Sequence, residues 1–457
     1  MRERASITSE TAEHILVERI IIATGLGESV EEYSNLGDIS MLQIAVERLR
    51  KLFPKAYIQV LTNSSDNLAR FCPAATPLDD RGRALWLSSG VLLGKYADAV
   101  PKWVVNLLVR LKNITRARLP DLLRVLVTWR LKYMNRHPEA DALRAFVGAF
   151  RNADLLLICG SGGFYDGCEA WNTRVLELLD AATQQGISAV MLGQGFGPLT
   201  DRSVLARAAR VLPMVDFITL RGNRGALAAI RSLGVLGANV QITGDEALEL
   251  AYDSRSEEPG KGLGINLRFA GSASTDMNDV KSIRTILQDF ARRHRISLIP
   301  LPIAMEGYTK DDLAIKQLLA GFDEQSDGGK TLDSPLKVIR QAALCRVVVT
   351  GAYHAAVFAL GQGIPVVGLA KSAYFSSKFL GLEDQFGEGC QTIALNEPAV
   401  SQKLYSAIER AWQNADRLRE PLLTAALSQI ELSRKSYQRI EELLANPVRS
   451  IADRANA

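Results

Sequence analysis

The chain has 457 residues, 47% of them hydrophobic, with a formal net charge of +4. Such a length exceeds what one apolar core usually supports, so two domains are expected, and the composition excludes a disordered, collagen-like or repeat protein. Five scattered cysteines without a CxxC pair argue against a disulfide framework or a structural zinc site and for a reducing, cytoplasmic compartment. The first residues lack the apolar run of a signal peptide, and no stretch of 18 apolar residues suggests a membrane span.

From Arg19 the pattern reads as strand, loop, helix and strand: ILVERIIIAT, then ISMLQIAVERLRKLF with apolar positions at helical spacing, then AYIQVLTN. Residues 73 to 100 are turn-rich and yield no assignment. Residues 102 to 136 read as basic helices broken near Pro120, with nine Lys or Arg against the single acid Asp121. The αβ rhythm then resumes through ADLLLICGSGG, ISAVMLGQG, DFITLRG and NVQITG. Such alternation predicts a mostly parallel sheet covered on both faces.

Residues 251 to 262 are polar and glycine-bounded, the pattern of a linker. A second lobe follows, with strands at LGINLRFAG, ISLIPLPIAM, RVVVTG and IPVVGLA separated by helical segments. The expected organisation is two α/β lobes, over 1–250 and 251–400, followed by C-terminal helices over 401–457 that, by analogy with two-lobe enzymes, pack back on them.

Open parallel sheets place ligands at the carboxyl ends of their strands, which singles out four loops. In the first, Asn35-Leu36-Gly37-Asp38, Gly37 lets backbone approach a ligand; Asp38 either caps the next helix or accepts a hydroxyl proton. In the second, the Gly162-Gly163 turn opens backbone N–H groups to a ligand, but the spacing fits neither a P-loop nor a dinucleotide fingerprint. A third bend places Gln194 on the cleft floor. Arg221 ends a strand and suits an anion, whereas Arg224 reads as a surface ion pair.

The fourth loop, Thr350-Gly351-Ala352-Tyr353-His354, follows an apolar strand and opens a small-residue helix. His14, His137 and His294 occupy polar or basic contexts, so His354 alone sits at a strand-to-helix turn. An anion on that helix N-terminus would meet an imidazole able to donate or transfer a proton near neutral pH. Asp311 either touches a substrate or caps its helix. No metal-ligand spacing and no dinucleotide motif accompany these loops, so no cofactor is expected.

Taken together, NLGDISMLQIAVERL, ADLLLICGSGGFYD, VMLGQGFGPL, DFITLRGNRG, QITGDEALEL and TGAYHAAVFALGQGIPVVGLAKSAYFSSKF resemble the polysaccharide pyruvyl transferase family, from about residue 20 to 395. The resemblance implies a glycosyltransferase-B-like pair of Rossmann-like lobes, and transfer of a pyruvyl group from phosphoenolpyruvate to a sugar hydroxyl in a cell-surface glycan or its lipid-linked precursor. It places Arg221 on the donor anion, His354 as the acid, Asp38 as the acidic residue of the first loop and Asp245 after the strand closing the first lobe. Ala352 replaces the arginine of the family's Arg-x-His signature, and Lys371, Ser372 or Lys378 are the candidates to supply the lost contact. Two other readings fit the same lobes: a nucleotide-sugar glycosyltransferase, and an inactive scaffold in an envelope-biosynthesis complex.

Nucleic-acid binding is not expected, because no recognition motif accompanies the basic segment. That segment interleaves its charges with Val, Leu and Trp, which suits docking on an anionic membrane surface at its inner face.

Overall fold

The structure, a computed structural model, describes residues 17–24, 33–87, 101–268, 275–305 and 311–445. His14 lies outside them.

Two parallel sheets organise the chain. The first runs β3 (Thr76–Asp79), β2 (Tyr57–Thr62), β1 (Arg19–Ala23), β4 (Leu155–Ile158), β6 (Ser188–Phe196), β7 (Phe217–Leu220) and β8 (Val240–Ile242), with β5 (Ser161–Phe164) attached to β6. The second runs β10 (Leu298–Pro300), β9 (Gly262–Asn266), β11 (Cys345–Thr350), β12 (Val366–Ala370) and β13 (Cys390–Ala394). Central strands such as RIIIA and LLLI are buried on both faces, which is why they read as unbroken apolar runs. The result is a two-lobed, Rossmann-like, glycosyltransferase-B-like fold with a helical tail.

One apolar core runs between the sheets. Leu42 and Val46 from the helix Leu36–Leu52 join Val357 and Phe358 from Tyr353–Leu360, and Leu422 and Ala426 from the tail. Separate cores cover the far face of each sheet. The lobes also meet through backbone: Leu36 donates its N–H to Ile303 at 3.0 Å and Met305 donates to Ser34 at 2.8 Å.

Three features depart from the sequence expectation. Residues 76–87 form an edge strand and the helix Asp80–Leu87, whose periodicity is masked by a buried charge cluster. There Asp80 accepts from Arg83 and Arg174, each at 2.8 Å. Residues 161–164 form a strand, not a simple turn. The tail is one continuous helix, Val400–Ala445, with Pro421 inside it. Proline costs that helix a hydrogen bond, but both halves are held by packing: Arg346 binds Asp416 from the second lobe, and Tyr437 and Arg439 reach the first.

The tail is anchored on the first lobe by buried charges. Arg48 pairs with Glu249 and donates to Ser433 at 2.7 Å, and the Tyr437 hydroxyl donates to Glu246 at 2.6 Å. Arg434 closes the network on Glu249 at 2.6 Å.

Candidate active site between the lobes

Loops at the carboxyl ends of both sheets enclose a cleft of about 330 Å³. Asn35, Asp38, Gly162, Gly163, Arg221 and His354 all line it, although they span more than 300 positions of sequence.

The first wall is the N-terminus of Leu36–Leu52. Asn35, not Asp38, is its N-cap, accepting the N–H of Gly37 at 3.0 Å and of Asp38 at 3.4 Å. With the cap supplied by Asn35, the Asp38 carboxylate is left to face the cleft. Facing this helix end is that of Tyr353–Leu360, every residue of which is buried. Its N-cap, Ala352, makes no side-chain cap bond, so the first-turn amides keep their partial positive charge.

Arg221 lies at the end of β7 with its guanidinium packed between strand backbones. A β-carbon on Gly162 would stand 2.5 Å from its Nη2, and one on Gly195 would stand 2.7 Å from its Nε. Neither position can carry a side chain while Arg221 stays in place. The guanidinium also lies over the Tyr353 ring, 4.5 Å from its centroid, and binds Asp245 at 3.4 Å.

Asp245 is the hub. Its Oδ1 accepts from the Ala247 amide at 2.9 Å, and its Oδ2 lies 3.6 Å from Nε2 of His354. Burial by itself would raise its pKa, but His354, Arg221 and the Ala247 amide outweigh that and hold the carboxyl below its ordinary range. The 3.6 Å approach is too long for a formed hydrogen bond, so Nε2 of His354, in a side chain 7% exposed, is left without one. The imidazole itself lines the cleft, with this nitrogen turned towards the buried Asp245 carboxylate.

Two further cations complete the site. Lys378, from the helix Ala373–Phe386, lies 4.0 Å from the centroid of the Tyr374 ring; burial, then the Arg221 charge, push its ammonium pKa well down. Arg268, just after β9, is tethered through Nη1 to Asp311 at 3.3 Å, while its Nε is buried without a partner. Nothing in the local sequence around Arg268 marks it. It lines the same cleft as Ala352, where the family signature has its arginine.

Other expected positions stand behind the wall or away from it. Gln194 is fully buried and spends its Nε2 on the carbonyls of Ile158, Cys159 and Leu192, so it fixes a loop and does not face the cleft. Thr350 is likewise structural, its Oγ1 accepting the Ala352 N–H at 2.9 Å, and Gly351 backs onto the Arg268 amide. Lys371 is held by Asp276 at 2.9 Å and Asp279 at 2.8 Å outside the cleft, and Ser372 caps the helix Ala373–Phe386. Of the three candidates to replace the lost arginine, only Lys378 lines the cleft. Asp311 is fully buried and accepts from the amides of Ile303 and Ala304, a positioning role for that loop. Arg224 pairs with Asp384 at 2.6 Å, joining the lobes.

Tyr374 closes one end of the cleft. Its ring stacks on Tyr165 with centroids 3.8 Å apart, and its hydroxyl donates to the Gly162 carbonyl at 2.6 Å. Among the described residues no three of His, Cys, Asp and Glu gather as a metal-holding group.

Comparison with solved structures gives a likeness of fold. The S. aureus protein MnaA, solved with UDP, superposes with a TM-score of 0.52 at 12% identity, covering 95% of this chain and 98% of its own. A Listeria monocytogenes protein assigned as a UDP-N-acetylglucosamine 2-epimerase gives the same score and identity, over 94% of this chain and 96% of its own. No curated protein sequence matches the chain. The profile of one family, however, matches residues 35–372, from the Asn35 cap through His354 to the loop after β12. The chain therefore belongs to the polysaccharide pyruvyl transferase family.

Proposed function

We propose that this chain moves a pyruvyl group from phosphoenolpyruvate onto two hydroxyls of one sugar, in a cell-surface polysaccharide or its lipid-linked precursor. The observation that carries this is the convergence of Arg221, Arg268, Lys378 and His354 on a cleft of only about 330 Å³, in a chain of this family. Phosphoenolpyruvate puts a carboxylate and a phosphate on three carbons. Neutralising both in a small volume requires several cations close together, which these residues supply.

In the balanced reaction one sugar hydroxyl adds to C2 of the enol while C3 takes a proton. Phosphate then leaves C2 with its bonding pair, and the second hydroxyl closes the ketal. His354 is placed to give the C3 proton, since its imidazole lines the cleft and the Asp245 carboxylate, 3.6 Å from Nε2, orients the ring and offsets its positive charge. Asp38, across the cleft at the opposing helix end, is the candidate base for the incoming hydroxyl. Arg268 and Lys378 take the place of the side chain missing at Ala352. The test is phosphate release from phosphoenolpyruvate with a panel of glycan acceptors; no turnover and no donor binding by a folded protein would leave the inactive-scaffold reading.

A second reading has a specific basis. The fold likeness to MnaA solved with UDP, and the open helix N-terminus beside Ala352, both suit the diphosphate of a nucleotide-sugar donor. Calorimetry with phosphoenolpyruvate and with UDP-sugars in parallel separates the two. Binding only of the nucleotide would replace the pyruvyl assignment.

A further inference from the structure

The basic segment folds as two helices, Lys102–Arg118 and Pro120–Tyr133, broken at Leu119. Its second helix carries two apolar stripes. Leu123, Val127 and Leu131 are buried towards the first lobe. Leu122, Val125, Leu126 and Trp129 form the other, each about half exposed or more, and Tyr133 extends it at 79%. On the first helix Leu107, Leu111 and Ile114 make a matching exposed row. Of the fifteen large apolar side chains exposed among the described residues, ten fall between Leu107 and Met134. That is one patch, not ordinary scatter, and a patch of this kind marks a docking surface.

We infer that this hairpin face docks on a lipid bilayer carrying anionic headgroups. Two observations choose that occupant. The outer stripe ends in a stacked pair, Trp129 and Tyr133, centroids 5.7 Å apart, the residues suited to sit at headgroup level. Positive charge flanks it: Arg118 and Lys132 are exposed and make no ion pair among the described residues. No described helix is long and apolar enough to cross a membrane, so the hairpin lies along the surface.

The structure also reduces the charge that can reach phosphates. Lys112 turns inward, its Nζ donating to the Leu85 carbonyl at 3.3 Å, and burial pulls its pKa down to about 8. Arg124 pairs with Asp121 at 3.3 Å and Arg136 with Glu139 at 3.1 Å. The side chains of Lys102, Trp103 and Arg110 lie outside the described set. The docking face is thus an apolar stripe with a basic rim, in which the apolar part dominates. The inference is independent of which donor the cleft takes.

The experiment is co-sedimentation of the full chain with phosphatidylcholine vesicles, with and without phosphatidylglycerol, at low and high salt. We expect pelleting with the anionic vesicles, a loss of at least tenfold in partitioning for Leu122→Ser/Leu126→Ser/Trp129→Ser, and a smaller, salt-sensitive loss for Arg118→Glu/Lys132→Glu. Because all five side chains are exposed, melting curves of both variants should match the parent. Failure of the folded parent to pellet with either vesicle overturns the inference. So does a concentration-dependent dimer that the serine variant makes monomeric, which would make this face a contact between copies.

Discussion

A β-carbon placed on Gly37 would lie 1.9 Å from Cγ of His354: the imidazole of the second lobe occupies the space that any other residue would fill at the second position of the first-lobe helix. The glycine of the first loop and the histidine of the fourth are therefore one structural unit. Gly37→Ala should improve helix propensity yet push the imidazole off Asp245. Its expected effect is a fall in kcat of about 10²-fold or more, approaching that of His354→Ala, with a melting temperature within a few degrees of the parent. Steady-state kinetics on the purified variant decide it; unchanged kcat would detach His354 from the chemistry.

Lys378 gives a prediction about protons. Its ammonium is held well below its ordinary pKa by burial and then by Arg221. A bound anion beside it would restore the charged form, so donor binding should take up protons, and affinity should weaken as pH rises through the free-state pKa. Calorimetry in buffers of differing ionisation enthalpy measures the uptake. Lys378→Met should abolish it and weaken the donor by about 10- to 100-fold. If proton uptake persists in that variant, another group is responsible.

Arg268 is expected to do the work of the arginine missing at Ala352. Arg268→Ala should raise the donor Kd by about tenfold or more, and Ala352→Arg in that background should recover much of it. If the cleft takes a nucleotide sugar instead, the added side chain at the buried Ala352 position should obstruct binding. Donor titrations on the parent and on both variants distinguish these outcomes.

Glu246 predicts a pH dependence of stability. Burial raises its pKa to about 7, the opposing effects of Arg48 and the Tyr437 hydroxyl being insufficient to offset it. A carboxyl with a folded pKa above its unfolded value of 4.5 binds more protons when folded, so stability falls as pH rises from 4.5 to about 7. The full effect is at most about 3 kcal/mol. Glu246→Gln can still accept from Tyr437 and should flatten this part of the profile. Melting curves between pH 5 and 8 test it; an identical slope in the variant would assign the dependence elsewhere.

The alternation of apolar runs with helical periods was enough to read two parallel sheets, because a buried parallel strand and an amphipathic helix each write their pattern into consecutive residues. Glycine turns and the lone strand-end histidine likewise marked the loops that line the cleft. What local pattern could not carry was decided by tertiary structure. The helix Asp80–Leu87 stayed hidden because the Asp80–Arg83–Arg174 cluster buries charges where a period expects apolar residues, and one of those partners lies 94 positions away. Pro421 reads as a break, yet packing on both lobes holds the helix through it. Lys371 and Lys378 look alike in sequence, but acids capture the first outside the cleft and the second points in. Arg268 and Ala352 come from different strands, and only the β9–β11 pairing brings their loops together. Strand and helix propensities are local free energies, whereas the placing of a charge depends on partners and burial supplied by distant segments, and that is settled only when the chain has folded.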